Sequence, residues 1–138
     1  MKMKWAGALL AFAMLAQAET SYDAWLRYAP IDEPNVRQMY EQLPATIVAL
    51  DPQEIEKTAQ AELERGIRGM LGRTLRIEKK LPEESCILLG TLASLKRIAP
   101  GLLLPETVPE DGYLLKTTDV NGHAAILIAA AKDRKSVV

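Results

Sequence analysis

The sequence predicts an α+β domain, a two-layer sandwich in which a mixed β-sheet of about five strands is covered by one long helix. Three observations lead there. Residues 55–71 carry apolar side chains at helical spacing. Short apolar or β-branched runs recur around that segment, at 45–50, 74–79 and 85–89. Two further runs, 112–119 and 123–130, flank Asn121-Gly122, a dipeptide that accepts the positive φ angles of a tight hairpin turn.

The elements follow in order. Residues 34–43 are expected to form a short helix, because Val36, Met39, Tyr40 and Leu43 are spaced three and four apart. Ala-Thr-Ile-Val-Ala-Leu at 45–50, bounded by Pro44 and Asp51-Pro52, reads as a buried strand. Asp51 is then placed to cap the long helix, with Pro52 at its first position and Glu54 at its third. Ile55, Ala59, Leu63, Ile67, Met70 and Leu71 make the apolar stripe of that helix, and Glu56, Lys57, Gln60, Glu64 and Arg68 lie mainly off it. Gly72 is expected to end it. Residues 74–79 alternate as a half-solvated strand does, and 85–89 read as a second buried strand. After Gly90-Thr91 a short amphipathic segment runs to Ile98 and stops at Pro100-Gly101. Residues 102–110 are expected to loop, and the 112–130 hairpin completes the sheet.

One domain is the expectation for 138 residues of which 49% are hydrophobic and 25% charged. Residues 1–18 are set apart as a secretory signal peptide: a basic start at Met1-Lys2-Met3-Lys4, an apolar stretch over 5–15, and the small-x-small site Ala16-Gln17-Ala18. That stretch is shorter than the ~20 residues of a membrane span. Its removal takes two lysines from the 17 basic groups and leaves all 18 acidic ones, a balance that argues against a nucleic-acid partner.

The residues offer little chemistry. Cys86, the only cysteine, allows no intrachain disulfide and is expected to be an inert core thiol within an apolar run. His123 is the only histidine and lies beside the expected turn, with no motif pointing to a nucleophile for it to activate. One histidine and one cysteine supply no metal cluster. Gly66, Gly69 and Gly72 lack the strand-to-helix setting and lysine of a phosphate loop, so close packing and helix termination explain them better. The pairs Asp32-Glu33, Glu83-Glu84 and Glu110-Asp111 read as solvated loop charges rather than as the separated carboxylates of a glycosidase. No catalytic, cofactor-binding or metal-binding residue is assigned. The aromatics are unevenly spread: Tyr22, Trp25 and Tyr28 crowd into one stretch, and only Tyr40 and Tyr113 follow.

That stretch carries a resemblance. Tyr22-Asp23-x-Trp25-Leu26-Arg27-Tyr28-x-Pro30-Ile31 resembles the opening of the mature glycoside hydrolase family 67 α-glucuronidases. Ala61-Glu62-Leu63-x-x-Gly66-Ile67-x-x-Met70-Leu71, Leu89-Gly90-Thr91 and Glu110-Asp111-Gly112-Tyr113-Leu114-Leu115 resemble later landmarks of that family, in the same order. The similarity runs to about Asp133.

The resemblance implies an N-terminal domain of 19–133, similar to the hexosaminidase-type N-terminal domain, and a non-native tail over 134–138 in a truncated chain. It implies release of glucuronic acid or its 4-O-methyl ether from xylo-oligosaccharides in xylan breakdown, with inversion and without cofactor. The catalytic carboxylates then belong to a (β/α)₈ barrel outside this chain, which alone is expected to be inactive. The parent enzyme is expected to be an exported homodimer, periplasmic or secreted, with no nucleic-acid or membrane partner. Trp25, Arg27 and Tyr28 are expected to anchor the start of the chain to its own sheet or to the barrel. The alternative is an independent exported module that binds carbohydrate or another partner.

Overall fold

The computed structural model describes residues 28–51, 53–109 and 111–131. The expected signal peptide, Trp25 and Arg27 lie outside the described residues, as do Pro52, Glu110 and the expected tail.

The elements are α1 (Pro34–Met39), β1 (Thr46–Ala49), α2 (Glu54–Leu71), β2 (Arg76–Glu78), β3 (Cys86–Thr91), α3 (Leu92–Ile98), β4 (Tyr113–Val120) and β5 (His123–Ala130). The five strands form one mixed sheet in the order β2-β1-β3-β5-β4. β1, β2, β3 and β5 run parallel, and only β4 is antiparallel, paired with β5 through the hairpin. Asn121 and Gly122 both take positive φ angles, 54° and 85°, as the dipeptide predicts, and Asp119 Oδ1 accepts the Gly122 amide at 2.8 Å.

Alternation along the central strands divides the core between the two faces of the sheet. Ile47 and Ile87 point to one side, where Ile67, Leu71 and Leu75 bury them. Val48, Cys86, Leu88 and Leu127 point to the other, against Leu95 of α3 and the 99–104 segment. The sheet is therefore covered on both faces, a correction to the expected two layers. The cause is β3, which is apolar at consecutive positions from Cys86 to Leu89 and buried throughout, so that neither of its faces can be left to water. The long helix is present, but α3 shares the covering. Its start is well specified: Thr91 and Ser94 satisfy each other's backbone amides in a capping box.

Two helix ends depart from expectation. α2 ends as expected at Gly72, whose φ of 67° is left-handed. Its N-cap, however, is Gln53 rather than Asp51. Asp51 turns instead to α3, accepting from Arg97 Nη2 at 2.7 Å. That bond holds the Asp51 carboxyl below its ordinary range against the opposing effect of burial. α1 is shorter than expected and buries none of its residues. Arginines fasten this region instead: Arg37 Nη2 donates to the Leu71 carbonyl at 2.5 Å, and Arg73 Nη2 to that of Leu43 at 2.8 Å.

Candidate functional site

Among the described residues, an apolar cleft lies where α2 overhangs the sheet. α2 packs on β1 and β3, so the part of the same face made by β5 and β4 lies beside the helix rather than under it. Two adjoining cavities occupy the angle between them. The larger, of about 380 Å³, lies between Tyr28, the middle of α2, and Leu89 and Ile128 of the sheet. The smaller, of about 190 Å³, lies between Ile55, Glu56 and Ala59 at the start of α2 and the upper ends of β3, β4 and β5. Ala59, Leu89 and Ile128 line both.

Tyr28 closes one side of the larger cavity. Its hydroxyl donates to Glu62 Oε1 at 2.6 Å, and the Arg65 guanidinium stands 5.9 Å from its ring centroid. Two glycines let the chain come so near the helix. A Cβ at Gly66 would lie 3.1 Å from the tyrosine ring, and one at Gly69 only 2.7 Å from the Tyr28 carbonyl oxygen. The structure thus seats Tyr28 on α2. Trp25 and Arg27, its companions in the sequence, fall outside the described residues.

Glu56 opens onto the smaller cavity. It is 5% exposed, and its Oε2 has no hydrogen-bond partner. Sequence reasoning placed Glu56 among the solvated residues off the stripe. With Gln53 as N-cap it becomes the third helical residue, at the end of the helix where carboxylates are favoured and turn inwards. The signal that could have found it was the helix start, misplaced by two residues.

The other singled-out residues do not gather here. Cys86 is buried on the opposite face at 3% exposure, where burial pushes its thiol up. His123 is half-buried beside the hairpin turn. Glu84 is engaged at the far end of the strands, paired with Arg76 and accepting from the Thr46 hydroxyl at 2.8 Å. Asp32 and Glu33 are exposed. Among the described residues no group of three or more His, Cys, Asp or Glu is placed to hold a metal ion. The cleft itself has mainly apolar walls, and its polar lining is two carboxylates, Glu56 and Glu62, with Thr91 and the hydroxyls of Tyr28 and Tyr113.

The family model described as "Glycosyl hydrolase family 67 N-terminus" matches residues 24–137. "Probable alpha-glucuronidase A" of Aspergillus clavatus is 33% identical over 114 residues, covering 80% of this chain and 13% of that protein. "Alpha-glucuronidase" of Hypocrea jecorina is 35% identical over 116 residues, 79% of this chain and 14% of the relative. "Alpha-glucuronidase A" of Emericella nidulans is 34% identical over 114 residues, 78% and 13% of the two. The chain therefore spans about 13% of the length of these curated relatives.

Proposed function

Because this chain belongs to glycosyl hydrolase family 67, as the N-terminal domain of its α-glucuronidases, we propose that it is the non-catalytic flank of an exported enzyme of xylan breakdown. That enzyme removes glucuronic acid or its 4-O-methyl ether from xylo-oligosaccharides. Hydrolysis with inversion is the task of a barrel domain outside this chain, since a (β/α)₈ barrel alone takes ~250 residues. The parent enzyme is read as a homodimer, and its N-terminal domain as a relative of the hexosaminidase-type module.

The carrying observation is one of coverage. The match falls on the N-terminal region of the family and takes in residues 24–137, in relatives of which this chain spans about 13%. Within this reading the seat of Tyr28 on α2 has a purpose. It fastens the incoming chain, with Trp25 and Arg27 before it, so that the domain's start is fixed relative to whatever it flanks.

The test is enzymatic. The full-length protein should release glucuronic acid from glucuronoxylo-oligosaccharides, with the product's anomeric configuration followed by NMR, while the 138-residue chain should release none. A full-length protein inactive on such substrates would refute the reading. Saturable binding of xylo-oligosaccharides by the 138-residue chain alone would favour an independent carbohydrate-binding module.

A further inference from the structure

The face beside α2 extends past the core beneath it. The stripe of α2 continues past the buried Ile67 and Leu71 to Ile55, which is 50% exposed. Leu115 and Tyr113 of β4 lie opposite Ile128 and Ala130 of β5, which puts them on the same side of the sheet as α2. They are 63% and 74% exposed. Ile55, Ile128 and Tyr113 thus line the apolar cavities, Leu115 stands opposite Ile128 on the same face, and among them a buried glutamate holds an oxygen with no donor. A buried unsatisfied acceptor is costly to leave unmade and rare in folded proteins, and an apolar patch of this kind marks a surface that is covered in use.

We propose that this face is the docking surface for the polypeptide that follows β5 in the intact family 67 chain, an apolar segment that brings one N–H donor to Glu56 Oε2. The inference rests on reading this chain as the N-terminal domain of a longer enzyme. Two observations select the occupant. Ala129 and Ala130, the last residues of β5, line the smaller cavity, so the chain leaves the sheet at the rim of the face it would cover. Relatives of which this chain spans about 13% carry ample polypeptide to cover it. A glycan fits less well. Sugar sites draw on several free polar groups and on aromatic faces, whereas here Glu62 is held by the Tyr28 hydroxyl, Thr91 caps α3, and Glu56 and Tyr113 stand among mainly aliphatic walls.

Hydroxyl-radical footprinting of the intact protein and of the 138-residue chain tests this, with exposed Met39 as internal reference. Tyr113 and Leu115 should react freely in the 138-residue chain and roughly tenfold more slowly in the intact protein, as residues at the dry centre of an interface do. Equal reactivity in the two proteins would overturn the proposal. So would protection already present in the 138-residue chain that grows with its concentration, which would assign the face to a second copy. Two variants add an independent readout. Leu115→Asp should lower the Tm of the intact protein and leave that of the short chain unchanged. Glu56→Met should raise the Tm of the short chain, by removing the orphaned oxygen, and lower that of the intact protein, by removing the donor's partner. The same sign in both proteins would contradict the assigned contact. The outcomes separate from those of the functional reading: an active enzyme with Tyr113 unprotected sinks the docking surface alone, and an inactive one with Tyr113 protected sinks the assigned activity alone.

Discussion

Replacing Gly69 with alanine sets helix propensity against a close approach of two chain segments. On an open helix face the change would stabilise folding by about 1 kcal/mol, because glycine is the poorer helix former. On α2 the new Cβ would stand 2.7 Å from the Tyr28 carbonyl oxygen and 2.8 Å from the Tyr28 Cβ. Those are main-chain and near-main-chain atoms, which cannot swing aside as the end of a side chain can. The segment at Tyr28 must lift, and with it goes the 2.6 Å hydrogen bond to the Glu62 carboxylate. A hydrogen bond to a charged group contributes about 1.5–3 kcal/mol, and a half-exposed cation–π contact such as that with Arg65 about 0.5–1 kcal/mol. These losses exceed the gain in propensity, so Gly69→Ala should destabilise the domain by about 1–3 kcal/mol. Gly66→Ala is the matched control, since its Cβ would meet the yielding edge of the tyrosine ring at 3.1 Å. It should stay within about 1 kcal/mol of the parent, the propensity gain offsetting the adjustment. Urea unfolding followed by far-UV circular dichroism gives both values. A Gly69→Ala chain more stable than its parent would refute the reasoning, because it would mean that Tyr28 does not lie on the helix.

Asp51→Asn should remove up to about 1 kcal/mol at neutral pH, the ceiling for a pair whose arginine is largely exposed. Because Asp51 titrates below its ordinary 3.8 in the folded chain, its contribution is complete above the unfolded value and fades as the pH falls through the folded one. Parent and variant stabilities should therefore converge in acid, and a gap that widens there would count against the Arg97 pairing. Cys86, at 3% exposure with its thiol pushed up by burial, should react with a disulfide reagent only after unfolding; prompt modification of the native chain would place it outside the core. Asn121→Ala should cost about 1 kcal/mol in thermal or urea unfolding, because a non-glycine residue other than asparagine or aspartate is strained at a φ of 54°.

Local signals were legible and tertiary ones were not. Asn121-Gly122 located the hairpin because the turn requires a positive φ at both positions, which the pair accepts, and Gly72 marked the end of α2 because it too takes a positive φ. The apolar repeat of α2 was read correctly, yet its reach was not: Ile55 continues the pattern but finds no core beneath it. Val36, Met39 and Tyr40 show the same limit, for their helical spacing suggested a buried face, and the structure leaves them exposed at 38%, 76% and 41%. Periodicity records what a segment could bury, while the sheet decides what it does bury. The second helix layer followed from the unbroken apolarity of β3, a signal that was present but is shared by any buried strand. Asp51 was assigned to the helix it precedes, and only the fold reveals Arg97, 46 positions away, as its stronger partner. Glu56 was lost with that assignment.

The strand order carries a consequence for how the molecule comes together. β5, the last strand of the described chain, lies inside the sheet between β3 and β4 rather than at its margin. The hairpin with β4 is local and closes within microseconds, whereas pairing β5 to β3 must span the α3 and 99–112 region and cannot begin until β5 has been made. A nascent chain emerging from its N-terminus can therefore assemble β1, β2 and β3, but it holds β3 with one side unsatisfied until the hairpin arrives as a unit. The keystone of the described sheet is β5, the last of its strands in sequence, so synthesis halted before residue 123 leaves β3 with an open edge.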